Sequence, residues 1–175
     1  MMRSTKATAF EEALGPHLPA AVNLARWLIK NPQDAEDVVQ EACLRAFACF
    51  DRFRGSSPRG WLLTIVRNAC HSYFRRGRAP APQQFDEEKH SAAEGSSPNG
   101  PEAKLLQSAE GKRINDAVSA LALEHREVFI LRELEGLSYK EIAEVAGVPI
   151  GTVMSRLSRA RAELQRKLGL EGGEP

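Results

Sequence analysis

LSYKEIAEVAGVPIGTVMSRLSRARAELQRKL, residues 137–168, places helix signals on either side of a glycine. Ser138 followed three residues later by Glu141 is a capping box, which starts a helix over residues 139–146. Gly147 supplies the turn, and Pro149 precedes a long final helix. In that helix Val153, Leu157, Ala160, Leu164 and Leu168 recur at helical spacing and form one inward face. At roughly 100° per residue, Ser155, Ser158, Arg159, Ala162 and Arg166 point the other way, with Met154 and Arg156 on the flanks. Small polar side chains near a helix N-terminus allow close approach to a DNA major groove, and arginines beyond them can read guanine or grip phosphate. A solvated amphipathic helix would carry arginines too. The capped helix and glycine turn at the right distance favour DNA.

The rest of the chain carries the same helical signature and no strand-like alternation, so the fold class is all-α. The segment APAPQQFDEEKHSAAEGSSPNG (79–100) is rich in Pro, Gly, Ser and acids, with Phe85 its only large hydrophobe. It cannot bury enough apolar surface to offset its ordering entropy, and it reads as a flexible linker. Two small helical domains follow from this division, over residues 1–78 and 101–170. In the first, helices are expected over about 7–14, 19–30, 33–50 and 59–76. The break between the second and third comes at Asn31-Pro32, and Pro32 opens the third. Val39, Cys43, Ala46 and Phe50 form the buried stripe expected of the third helix, and Leu62, Ile65, Val66 and Ala69 that of the fourth. In the second domain a helix starting at Pro101 is expected to run to about Leu121, and another to cover about 125–133.

Composition narrows the function. The 175 residues are 42% hydrophobic and 27% charged with a net charge of +1, ordinary globular values that mask local imbalance. Cys43, Cys49 and Cys70 form no CxxC pair, which argues against a disulfide framework or zinc site and fits a reducing compartment. The opening MMRSTK leads into no apolar stretch, and the longest apolar run, near residues 61–66, falls far short of the ~20 residues of a membrane span. A cytoplasmic protein with no membrane insertion is expected. His17, His71, His90 and His125 are scattered, with no HExxH, and there is no Gly-rich phosphate loop. No catalytic residue, metal site or cofactor is expected, and no enzyme.

Two charged zones remain. Residues 52–78 hold Arg52, Arg54, Arg59, Arg67, Arg75, Arg76 and Arg78 without one acid, interleaved with Phe53, Trp61, His71, Tyr73 and Phe74 and with the hydrogen-bonding Asn68 and Ser72. Positive charge attracts phosphates, and exposed aromatics stack on unpaired bases. The aromatics can equally be core, and Trp61 reads as core. Residues 31–44 are opposite in sign, with Asp34, Glu36, Asp37 and Glu41 and no basic residue. Asp34, Asp37 and Glu41 share a helical face that repels DNA, so it suits either solvent or a protein partner.

These segments resemble the small extracytoplasmic-function sigma factors of bacterial RNA polymerase. NPQDAEDVVQEACLRAFACF (31–50) is similar to the family's second conserved region. FRGSSPRGWLLTIVRNACHSYFRRGR (53–78) is similar to the part of that region that melts and reads the −10 element. The stretch from Leu137 to Leu168 is similar to its fourth region, most specifically in the run from Glu141 to Arg161, although Ala122-Leu123-Glu124-His125 stands where relatives often carry Leu-Pro. The resemblance implies that Asp34, Asp37, Gln40 and Glu41 dock on core polymerase. It implies a −10 surface of Arg54, Ser56, Ser57, Arg59, Asn68, Ser72, Tyr73, Arg75 and Arg76. Thr152, Met154, Ser155, Arg156, Ser158 and Arg159 would meet the −35 duplex. Implied partners are core RNA polymerase at its β′ clamp helices and β flap, promoter DNA, and an anti-sigma factor.

The rival reading is a stand-alone helix-turn-helix regulator, which explains residues 137–168 but leaves both charged zones without a role. A pure interaction protein that mimics such a factor is a third.

Overall fold

The computed structural model describes residues 5–55, 57–77 and 108–170, and among these every regular element is helical. Helix α1 (Lys6–Leu14) starts where the Thr5 hydroxyl accepts the Thr8 amide. Pro16 sits in a 3₁₀ turn, Gly15–His17, that leads into α2 (Leu18–Leu28). Ile29 then turns extended, so α2 stops before the expected Lys30. Asn31 caps α3 (Pro32–Cys49) through a 3.1 Å bond from the Asp34 amide, and Ser57 caps α4 (Pro58–Arg75) through the Gly60 amide at 3.1 Å. Proline at the first position of both helices costs no hydrogen bond, because that N–H has no intrahelical partner.

In the second half, α5 (Ala109–Ser119) is capped by Ser108, whose extended backbone separates it from whatever precedes. A single helix running from Pro101 to Leu121 is therefore corrected, and residues 101–107 lie outside the described residues, as does the expected linker. Helix α6 (Leu123–Glu133) begins two residues earlier than expected. Ala122 precedes it at φ −54° and ψ 144° without any side-chain bond, so the turn forms here without a proline. Helix α7 (Tyr139–Ala146) has both bonds of its capping box. It ends on Gly147 at φ 68°, and α8 (Ile150–Lys167) follows from Pro149.

Leu24, Leu28, Leu62 and Val66 from α2 and α4, with Val38 and Ala42 from α3, centre the first half. Val128, Leu131, Ile142, Val153, Leu157 and Ala160 centre the second. Each fully buried leucine contributes about 1.5–3 kcal/mol. The two groups merge into one core, because α2 packs on α6 and α4 on α7. The expected stripe of α3 is corrected. Ala35, Val38, Val39, Ala42 and Ala46 are buried, while Cys43 and Phe50 are only partly so. Helix α3 packs against both α2 and α4, which widens the buried arc beyond one seam.

An aromatic cluster closes one end of the first half. Phe10 meets Phe47 and Phe50 edge-on at 5.3 and 5.5 Å, and Phe53 lies 5.0 Å from Trp61. Lys6 sits 4.8 Å over the Phe47 ring and pairs with Asp51 at 2.9 Å.

Candidate nucleic-acid interface

Helix α8 presents the face its periodicity predicts. Val153, Leu157, Ala160 and Leu164 are buried, and Met154, Ser155, Ser158 and Arg159 are exposed. Thr152 is half-buried, and its carbonyl accepts the Ser155 hydroxyl at 3.0 Å. Arg156 departs from the expectation of a free groove-reading side chain. Its side chain is largely buried, and its guanidinium lies 3.6 Å from Glu124 at the start of α6. Ile150, one turn before Met154, is an exposed apolar residue that periodicity did not single out. Around this unit Arg132 stacks 4.7 Å over Tyr139 and donates to the Leu137 carbonyl, which fixes the α6–α7 turn. Arg161 pairs with Glu133 at 2.7 Å, and that bond pushes its guanidinium further toward the charged form.

The acidic residues divide between two grooves. Asp34, Asp37 and Glu41 line a groove of about 330 Å³ between α3 and α4, with Val38, Ala69, Tyr73 and Arg76. Gln40 faces another groove with Val22, Arg26 and Glu36. Asp37 and Gln40 are exposed. Glu41 is not an isolated anion, since Arg45 approaches it at 2.7 Å and Arg76 at 3.8 Å. Asp34 accepts the Tyr73 hydroxyl at 2.6 Å.

That last bond corrects one assignment. Tyr73 is buried, with its ring against Phe74 and its hydroxyl on α3, so it belongs to the core rather than to the −10 surface. Arg54 is exposed but folds back onto the carbonyls of Asp51 and Phe53 at 2.7 and 3.0 Å. Ser56 lies outside the described residues, and Ser57 is occupied as the α4 cap. Asn68 is exposed and accepts from Arg67 at 3.2 Å. Ser72 accepts from Arg75 at 3.1 Å, and Arg75 and Arg76 remain exposed. Arg59 turns toward the second half, 3.7 Å from Glu141. Phe53 and Trp61 are partly buried and pack against each other, so neither ring is free to stack on a base.

Sequence reasoning missed Glu127, which is 0% exposed on α6 beside the buried Arg126. Arg67 donates to it through Nε and lies 3.5 Å away through Nη2, and His71 Nε2 lies 3.4 Å off. Cys70, beside them on α4, has its thiol pushed up to about 12, first by burial and then by the Glu127 charge. Among the described residues no three His, Cys, Asp or Glu side chains gather as metal ligands, and no helix is long and apolar enough to cross a membrane.

Known proteins account for both halves. Residues 14–79 match sigma-70 region 2, and residues 112–164 match sigma-70 region 4. The chain is 34% identical to the ECF RNA polymerase sigma-E factor of Haemophilus influenzae, over 83% of its own length and 79% of that protein. It is 36% identical to the Escherichia coli sigma-E factor, over 77% and 74%. Among solved structures, the sigma factor RpoE of Bartonella quintana, crystallised with the anti-sigma factor NepR, aligns with a TM-score of 0.72 at 33% identity. That alignment covers 93% of this chain and 98% of the other. With both conserved regions in order and identity sustained across them, the chain belongs to the ECF family of RNA polymerase sigma factors.

Proposed function

We infer that this chain is an alternative sigma factor that binds core RNA polymerase and directs promoter-specific initiation. It has no catalytic role of its own and works in the cytoplasm. The carrying observation is that an acid-lined groove between α3 and α4 and an exposed reading face on α8 occur in one chain. A stand-alone regulator needs only the second.

The division of labour follows from charge and exposure. Residues 1–78 form the region 2 domain, residues 79–100 the linker and residues 101–170 the region 4 domain. Asp34, Asp37, Gln40 and Glu41 meet the polymerase β′ clamp helices, where carboxylates repel DNA but suit a cationic protein surface. Arg54, Ser56, Ser57, Arg59, Asn68, Ser72, Arg75 and Arg76 take the −10 strand, in which a flipped base costs a few kcal/mol to unpair. On α8, Met154, Ser155, Ser158 and Arg159 face the −35 duplex beside Thr152, and Arg156 joins them once released from Glu124. The Bartonella quintana relative is bound by an anti-sigma factor, and the same class of regulator is proposed here.

Adding the purified chain to core polymerase and mapping transcript starts tests the reading. Starts that share a promoter motif and require both components are expected. Duplex binding without polymerase, with no new start sites, would return the stand-alone regulator.

A further inference from the structure

The front of α8 carries apolar side chains where donors to a base edge could stand. Ile150 and Met154 are the two large apolar side chains of this helix left exposed, at 45% and 52%. They lie four residues apart, so they are neighbours on one ridge of the helix. Ser158 continues that ridge, and Ser155 and Arg159 flank it, which places both apolar tips on the face assigned above to the −35 duplex. Gly151 keeps the space beside them open, because a Cβ there would meet nothing within 4 Å.

The polar groups around the pair are poor in free donors. The Ser155 hydroxyl gives its hydrogen to the Thr152 carbonyl at 3.0 Å, which leaves its oxygen as an acceptor. Arg156 is drawn to Glu124, and Thr152 is half-buried. Guanine shows two acceptors in the major groove and needs donors opposite them, whereas thymine adds a C5-methyl that an apolar side chain can meet. Single apolar residues are ordinary on a protein surface. A pair one turn apart on a groove-facing ridge has a matching partner in thymine. We propose that Ile150 and Met154 are specificity-determining residues that read thymine in the −35 duplex through its C5-methyl. The inference rests on the proposed reading of α8 and adds which base that helix selects. Four residues of helix advance about 6 Å, against about 3.4 Å for one base along a strand, so the two side chains reach base pairs one or two steps apart. Enclosing one methyl is worth roughly fourfold in affinity.

The test uses holoenzyme assembled from core polymerase and the full chain, with a promoter duplex taken from a mapped start. Each −35 thymine is replaced in turn by uracil, which removes the methyl and keeps the hydrogen bonds of the base pair. Uracil at one or two nearby positions is expected to lower affinity about fourfold each. Met154→Ala and Ile150→Ala are each expected to erase the effect of the methyl at one of these positions. The salt slope should stay unchanged in both variants, because neither side chain touches phosphate. Both positions are exposed and alanine favours helix, so the fold is kept. Wild-type binding indifferent to uracil at every −35 position would overturn the proposal. So would a uracil loss equally large in wild type and in both variants. A failure of the sigma reading registers separately, as the absence of polymerase-dependent starts with the wild-type chain.

Discussion

Two glycines flank the turn of the DNA-reading unit, and adding the same methyl to each should move stability in opposite directions. Gly147 holds φ at +68°, and Gly151 lies within α8; a Cβ built at either position meets nothing within 4 Å. Sterics with neighbours therefore drop out. Gly→Ala at a compatible helical site stabilises by about 0.4–1 kcal/mol, mainly by restricting the unfolded chain. Gly151→Ala should gain that amount. Gly147→Ala gains the same restriction but loses about 1–2 kcal/mol to left-handed strain, for a net loss of about 0.5–1 kcal/mol. The difference between the variants isolates the strain. Urea unfolding followed at 222 nm measures it, and in a protein of this size 1 kcal/mol moves Tm by roughly 2–4 °C. Equal shifts for the two variants would refute the claim that conformation alone sets the turn.

Further outcomes follow from the site. Asp37→Lys should weaken core-polymerase binding in fluorescence anisotropy while leaving the melting temperature unchanged, because Asp37 is exposed; unchanged affinity would remove it from the docking surface. Arg159→Ala should lower duplex affinity alike for all sequences and reduce the salt slope by roughly one phosphate contact, whereas a loss confined to one base pair would make Arg159 a base reader. Iodoacetamide at pH 8 should modify exposed Cys49 and spare buried Cys70, whose thiol is pushed up to about 12; peptide mapping that finds Cys70 alkylated first would contradict its burial. The Ser138 amide holds the Glu141 carboxyl below its ordinary value of 4.5. Its contribution to α7 is therefore complete above that pH and lost as pH falls through the lower folded value, which Glu141→Gln should abolish in an acid titration followed by circular dichroism.

What could be read from the residues was local. The capping box at Ser138, the stop at Gly147 and the apolar stripe of α8 each lie within a few positions of their cause, and all three stand in the structure. Contacts between distant segments were not legible. Tyr73 sits among arginines and reads as a stacking surface, yet its hydroxyl partner lies 39 residues away on α3. Arg156 reads as free because Glu124 belongs to another helix. Glu127 reads as an ordinary acid until Arg67, 60 residues earlier, is folded against it. The width of the buried arc on α3 likewise depends on two neighbours that its own period cannot name.

The cluster of Phe10, Phe47, Phe50, Phe53 and Trp61 has a practical corollary. Gly55 lies directly over it, since a Cβ there would come 3.1 Å from the Phe53 ring. The loop residue Phe53 stacks on Phe50, which in turn meets Phe10 of α1 edge-on, and α1 has only Leu14 fully buried. Helix α1 joins this cluster through Phe10 against Phe47 and Phe50. A fusion partner or trimming at the amino end that lifts Phe10 would retune a surface more than forty positions downstream without altering any residue in it.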